Sequence, residues 1–336
     1  MSGSAVKVVG SGAAAALVAA CFDQVDFAVV SDEKDFKQSP PLVVLNEGTL
    51  SLIKDLIGTA ELTHMQTAGQ MLTERVVIWG EYTERVHAPS LLIPPVDIVT
   101  EIRKHKPAGT CALEPTINVR GRGFNTGEAA GPRFAFAWPS VPGILPISSA
   151  FYIVAVEQCG WAFIAPTDKG HVIVQTVIAD EDSAAALYVG SQALARIGID
   201  SDLSGYCMIG SIDAAPRFGT PFTKDEPCAG DELIALDPIC GDGIGHALRA
   251  GVLLAALYQQ VDCDHEWREA IYTNRIRRSF VAHLRACEAH YSMFASAPQW
   301  NDLIWTMRRT RLLHEALLYA APDVSYRLER TSLRAC

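Results

Sequence analysis

Gly230-Asp231-Glu232-Leu233-Ile234-Ala235-Leu236-Asp237-Pro238-Ile239-Cys240-Gly241-Asp242-Gly243-Ile244-Gly245-His246 is the stretch whose reading decides how this chain folds. A Gly-Asp pair is followed six residues on by Asp-Pro, then by a Gly-x-Gly turn, then by an apolar run from Ile244. Asp, Pro and Gly in this order before an apolar run predict a helix start. The first turn of a helix carries backbone N–H groups with no intrahelical partner and a partial positive charge, so it favours an electron-rich ligand. Gly241 and Gly243 have no Cβ and let the backbone approach such a ligand closely. A plain loop before a helix uses the same turn residues, so the ligand reading rests on what the rest of the chain contains.

The N-terminal segment has the same logic. Ala5–Val9 is a short apolar run ending at Gly10-Ser11-Gly12-Ala13-Ala14-Ala15, followed by an Ala/Leu/Val stretch to Cys21. A second apolar run, Phe27–Val30, ends in Ser31-Asp32-Glu33. This is a β-α-β unit opening with GxGxxA. Gly10 and Gly12 admit a pyrophosphate to the helix start, with Ala13 and Ala14 in the first turn. A carboxylate at the end of the next strand takes the ribose hydroxyls of an adenosine, and both Asp32 and Glu33 stand where it belongs. The stretch Ala5–Phe22 is apolar, but it lacks a basic leader and is broken by Gly-Ser-Gly, so a strand, turn and buried helix describe it better than a signal peptide.

A chain of 336 residues, 49% apolar and 20% charged, is a globular protein long enough for two packed domains. A formal charge of −10 argues against a nucleic-acid partner, which needs a basic surface. No run reaches the length of a membrane span. The nine cysteines form no CxxC pair and no metal-ligand spacing, which fits free thiols in the cytoplasm.

Between the two glycine motifs the pattern is mostly of strands. Thr73–Trp79 and Arg85–Ile93 read as strands, and Phe134–Trp138, Ala150–Glu157, Gly160–Ile164 and His171–Ile178 predict an antiparallel sheet. Helices are expected from Pro94 to about His105, over Glu181–Ile197 and over Ile244–Gln260, and from about His265 to the end. Ile117–Gly123 reads as a strand running into a Gly-Arg-Gly turn. No repeat or low-complexity tract is present.

With these segments in order, the chain resembles the FAD-dependent monooxygenase and tryptophan-halogenase superfamily over most of its length. GD-x6-P-x2-G-x-G is similar to the second FAD motif of that group. Asn46-Glu47-Gly48-Thr49-Leu50, Val119-Arg120-Gly121-Arg122-Gly123 and Gly160-Trp161-Ala162-Phe163-Ile164-Ala165-Pro166 resemble further segments of it. So does Tyr272-x3-Ile276-x3-Phe280-x2-His283 with His290-Tyr291 beyond. The resemblance implies an α/β fold: a Rossmann-like FAD domain of the GR2 type from residues 1–60, 96–133 and 215–262, an inserted antiparallel β-sheet substrate domain from 61–95 and 134–214, and a helical C-terminal region over 263–336. It implies FAD held by Gly10, Gly12, Ala13, Ala14, Asp32 or Glu33, Gly121, Arg122, Gly230, Asp231, Pro238, Gly241, Asp242, Gly243 and Ile244.

The activity it implies is hydroxylation of an electron-rich aromatic, tryptophan-like, indole-like or phenolic, in a small molecule or within a peptide or protein, as in quinone-cofactor maturation. Halogenation, flavin reductase or dehydrogenase chemistry, and a degenerate flavoprotein that only binds are the alternatives. Trp161 and Phe163 flank Ala162 on one strand and share a face, either toward substrate and flavin or in a β core. His246 is a candidate general base or a packed core histidine. Cys240 falls near the flavin face or is simple packing. The arginines at 275, 277, 278, 285, 308, 309 and 311 suit a carboxylate substrate or a solvated helix face.

Two departures stand out. Only about fifteen residues separate the helix ending near His105 from the Gly121 turn, where relatives place a three-stranded meander. No lysine, neither Lys54, Lys104 nor Lys106, sits in the strand where halogenases carry theirs. There is no second dinucleotide motif, so reduced flavin is expected from a separate reductase or from a transiently bound nicotinamide.

Overall fold

Strands form here where apolar residues alternate or run together, and they break at Gly, Pro and Asp. A computed structural model describes residues 5–10, 12–23, 28–32, 42–104, 116–167, 170–260, 264–295, 297–321, 326–329 and 332–335. The chain opens with β1 (Ala5–Val9), α1 (Ala13–Asp23) and β2 (Ala28–Asp32). Next come β3 (Val43–Asn46), α2 (Glu47–Ile57), α3 (Thr59–Ala68), β4 (Gln70–Trp79), β5 (Tyr82–Ile93), α4 (Pro95–Arg103) and β6 (Thr116–Asn118). Then follow β7 (Phe134–Pro142), β8 (Ala150–Val156), β9 (Gly160–Thr167), β10 (His171–Ile178) and α5 (Ser183–Arg196). Five short strands, β11 (Ser211–Asp213), β12 (Arg217–Phe218), β13 (Phe222–Thr223), β14 (Glu226–Pro227) and β15 (Ile234–Ala235), lead to α6 (Gly243–Tyr258). The chain continues through α7 (His265–Tyr291), α8 (Pro298–Ala320), β16 (Tyr326–Glu329) and β17 (Ser332–Ala335).

β1 lies between β2 and β6 in a parallel three-stranded sheet, with Val8 opposite Ser31 and Ile117. Its apolar side chains Val6, Val8 and Ile117 are fully buried, as parallel strands flanked by helices require. α1 packs on α6, where a Cβ at Gly251 would fall 3.1 Å from Val18 Cα and 3.2 Å from Cys21 Sγ. That close approach explains a glycine in the middle of an otherwise strong helix.

The second sheet has eight strands in the order β11-β7-β10-β9-β8-β4-β5-β3. It is antiparallel, as expected, except where β8 runs parallel to β4 with Glu74 opposite Ala150. The reason is topological. After β5 the chain leaves the sheet for a long excursion and re-enters at β7, so β8 reaches β4 through a crossover and not a hairpin. β3, which the periodicity left unassigned, completes the edge beside β5.

Both faces of this sheet are covered. Tyr152, Val154 and Val156 of β8 pack with Val189 and Leu194 of α5 in one core. Phe151, Ile153 and Ala155, on the opposite face, join a second core with Trp161, Tyr291 and Trp300. Period-two alternation therefore gives a strand buried along its whole length. The C-terminal region is helical through α7 and α8, but β16 and β17 form an antiparallel hairpin where helix was expected. Tyr326-Arg327-Leu328-Glu329 and Ser332-Leu333-Arg334-Ala335 alternate apolar and polar residues, the period of a strand. No helix among the described residues is long and apolar enough to cross a membrane.

Candidate functional site

The turn before α6 is built around Asp237. Its carboxylate accepts from the backbone N–H of Ile239 at 2.9 Å, which shapes the single 3-10 turn Pro238–Cys240. Gly241 then takes the left-handed conformation (φ +57°) that reverses the chain into the helix. The same carboxylate pairs with the fully buried guanidinium of Arg133 and accepts from Tyr291 Oη at 3.1 Å. Tyr291 Oη in turn accepts from Trp161 Nε1 at 3.0 Å, and the Arg133 guanidinium lies 4.9 Å above the Tyr291 ring. The Asp237 backbone N–H donates to His283 Nε2 at 2.8 Å. A buried ion pair is costly to desolvate, and this one is compensated by further hydrogen bonds to its carboxylate.

The two glycine motifs meet at Val119, just beyond β6. A Cβ at Gly10 would lie 2.1 Å from the Val119 carbonyl oxygen and 3.0 Å from Ala15 Cβ. One at Gly230, itself at φ +68°, would lie 3.2 Å from Val119 Cγ1 and 3.7 Å from Ala14 Cβ. Backbone hydrogen bonds from Ala229 to Asn118 (2.7 Å) and from Glu232 to Arg120 (3.0 Å) zip the second motif alongside β6. The Arg120–Glu232 ion pair secures it from the side. A third segment arrives through Asp242, whose carboxylate accepts from Asn46 Nδ2 (2.9 Å) and Thr49 Oγ1 (3.2 Å) and pairs with Arg249.

The glycines divide into two kinds. Gly10, Gly230 and Gly245 are filled in by their own protein neighbours; a Cβ at Gly245 would fall 2.2 Å from Thr49 Oγ1. Gly12, Gly121, Gly241 and Gly243 face open space, with nothing within 4 Å of a Cβ among the described residues. Gly12 and Gly243 stand at the starts of α1 and α6, and the α6 start carries no side-chain cap. First-turn N–H groups have no intrahelical partner, so those of Ala13, Ala14, Gly243 and Ile244 stand beside bare backbone. A flat or phosphate-bearing anion fits a cradle of that kind.

The remaining expected residues are dispersed in role. Arg122 donates to the carbonyls of Ala215 (2.8 Å) and Leu236, bracing the entry to the turn. Asp231 is half-buried; burial pushes its carboxyl above the ordinary range and nearby Arg122 opposes that shift. Pro238 is half-buried in the turn itself. Asp32 ends β2, opposite Val9, and Glu33 lies outside the described residues, as does the shortened stretch over 105–115. Trp161 is buried, with its indole N–H given to Tyr291, whereas Phe163 on the same face is half-exposed, 5.5 Å from Phe151. His246 is buried in the second half-turn of α6. Desolvation, aided by Arg249, pushes its pKa down to about 4, and its Nε2 has no hydrogen-bond partner among the described residues.

Sequence reasoning missed Arg133, which nothing local marks as the partner of Asp237. It also missed a cluster of Cys240, His283 and Cys287, having found no metal-ligand spacing among the cysteines. The overlooked signal was His283 and Cys287 at i, i+4 on one helix face. Of the arginines, Arg285, Arg308 and Arg311 pair with Glu288 and Glu315 between α7 and α8, and Arg277 and Arg309 lie over the rings of Phe218 and Trp305. Among the lysines of interest, Lys54 is exposed on α2, Lys104 pairs with Glu101, and Lys106 lies outside the described residues.

No family model matches the chain, and no curated protein matches it in sequence. Solved structures do match in shape. QhpG, a peptidyl tryptophan dihydroxylase essential for tryptophylquinone cofactor biogenesis, superposes with a TM-score of 0.71 over 99% of this chain and 86% of its own, at 15% identity. This is the fold of the flavin-dependent halogenases and monooxygenases. The halogenase CmlS gives a TM-score of 0.72 over 94% of this chain and 70% of its own, at 15% identity. The brominase Bmp2 gives 0.69 over 94% and 98%, at 16% identity.

Proposed function

We propose that the protein holds FAD in the cradle around Val119 and oxygenates an electron-rich aromatic group, tryptophan-like, indole-like or phenolic, in a small molecule or in a peptide or protein. One observation carries this reading: the two glycine motifs converge on Val119 while Gly12, Gly241 and Gly243 face open space at two helix starts. In this reading segments 1–60, 96–133 and 215–262 form the cofactor half and 61–95 with 134–214 the substrate half. The half-exposed Phe163 is its candidate substrate-facing aromatic.

When bound, FAD supplies the activation of oxygen, and the protein contributes binding, orientation and electrostatics. Gly10, Gly12, Ala13 and Ala14 would take the pyrophosphate, with Asp32 or Glu33 on the ribose. Gly230 and Asp231 would meet the ribityl chain, and Gly121 with Arg122 the adjoining edge. The amides of Gly243 and Ile244, beyond Pro238 and Gly241, would favour negative charge on the ring. Asp242 would act by fixing the turn against Asn46 and Thr49. His246 is held neutral by burial and offers one unshared ring nitrogen. Electrons would come from a separate reductase or from nicotinamide bound in passing.

Halogenation is the second reading, supported by the shared fold of CmlS and Bmp2. The test begins with colour. The purified chain is expected to be yellow or to take up added FAD, and Gly243→Val to lose that capacity while its circular dichroism stays unchanged. A chain that binds no FAD overturns both readings. With reduced FAD, oxygen, bromide and an indole or tryptophyl peptide, a product heavier by oxygen supports the first reading. A brominated product moves the assignment to the second.

A further inference from the structure

Cys240 comes from the turn before α6, and His283 with Cys287 from one face of α7. Their sulfur and nitrogen atoms all lie within 4.8 Å of one another. Cys287 Sγ is 3.4 Å from His283 Nε2, and the same nitrogen accepts the Asp237 backbone N–H at 2.8 Å. The turn is therefore pinned to the helix at the residue that organises both. Cys287 is completely buried while Cys240 is only partly so, so a reagent reaches the pair from the Cys240 side and Cys287 stands behind it. We propose that Cys240 and Cys287 are a redox-active dithiol–disulfide pair in which Cys240 is oxidised by hydrogen peroxide and Cys287 resolves the product.

The chemistry balances without a bound ion. The Cys240 thiolate attacks one peroxide oxygen; an S–O bond forms, the O–O bond breaks, and the departing hydroxide takes up a proton to leave as water. The Cys287 sulfur then attacks the Cys240 sulfenic acid. An S–S bond forms, the S–O bond breaks, and hydroxide leaves with the Cys287 proton as a second water. Two thiols are oxidised and one peroxide is reduced. A small external dithiol returns the pair by exchange and is itself oxidised to a disulfide.

The surroundings divide the two thiols as this scheme requires. Hydrogen bonding from Cys287, together with His283, brings the Cys240 thiol down to about 5, whereas burial pushes Cys287 well above the ordinary thiol range. A low-pKa, accessible sulfur beside a resolving cysteine is the arrangement that favours reversible oxidation. The same three residues could ligate a soft metal ion, but His283 Nε2 would first have to give up the Asp237 N–H. Closing the sulfurs to about 2.0 Å would draw Pro238–Gly241 toward α7, so oxidation would move the turn that borders the cradle. The proposal stands on these residues alone and does not depend on flavin.

The full chain, first reduced and freed of reductant, is treated with equimolar hydrogen peroxide, with and without FAD. Digestion should yield a peptide cross-linked through Cys240 and Cys287 before the exposed Cys207 is modified, and dithiothreitol should reverse it. Cys287→Ser should accumulate a Cys240 sulfenic acid that dimedone traps. Alkylation of Cys240 by iodoacetamide in the wild-type chain should stay fast down to about pH 5. Oxidation at Cys207 with Cys240 and Cys287 intact overturns the proposal. So does zinc that survives gel filtration of the wild-type chain and shields both thiols, which would make the cluster a metal site.

Discussion

The starts of α1 and α6 are held in place by different physics. At α1, Gly10 sits against the Val119 carbonyl and Ala15, and its neighbours Ala13 and Ala15 are buried. Nothing charged takes part; the geometry is set by hard contact at close range. At α6, Asp237 is held by Arg133, Tyr291, the Ile239 amide and His283, with Trp161 behind Tyr291. There the geometry is set by a buried polar network, in which every member answers to the charge of the others. The difference separates a helix start that should be indifferent to pH from one that should sense protons and oxidants.

The harshest way to break the comparison is to leave Asp237 alone. Arg133→Met should cost about 3–5 kcal/mol in urea unfolding, because a buried carboxylate is left uncompensated. Adding Asp237→Asn should recover a good part of it, and a single variant within experimental error of wild type would show that the α6 start does not rest on this pair. Next in size is acid sensitivity. His246 is lowered from 6.5 to about 4 in the folded chain, so below pH 6.5 the unfolded chain binds the proton more readily. Stability is present in full above 6.5 and is lost as pH falls toward 4, by about 3 kcal/mol at most. His314 is lowered over the same range, so the measurement is the difference between wild type and His246→Leu. An unchanged slope in that variant sinks the assignment.

The α1 start is probed by a methyl group. Gly10→Ala should destabilise by about 1–3 kcal/mol through overpacking, to the same extent at pH 5 and pH 8. Gly12→Ala, which meets open space, should stay within about 0.5 kcal/mol of wild type while weakening FAD retention. Equal stability losses in the two variants would erase the distinction between filled and open glycines. Smallest is Trp161→Phe, which removes one hydrogen bond to Tyr291 and should cost about 1 kcal/mol.

Much of this was legible beforehand because it is local. GxGxxA after an apolar run and DPxxGxG before one mark strand–turn–helix junctions with no knowledge of the rest of the chain. The β8 and β9 strands follow from the same short-range rules. The misreadings fall where range fails. The parallel β4–β8 pair depends on an excursion between β5 and β8, and the final hairpin was hidden behind two long helices whose period was carried too far. Arg133 and Asp237 are 104 residues apart, and neither announces the other.

By itself the sequence determined two glycine-bearing helix starts, the strands that precede them, and the apolar faces that must be buried, since each is dictated by neighbours within a few residues. Only the tertiary structure decided which glycines are filled by protein and which face open space. It alone brought Cys240 to His283 and Cys287, and gave Asp237 its arginine. Those outcomes depend on contacts between segments far apart in the chain, whose pairing is selected by packing and desolvation of the whole and leaves no local trace in residue order.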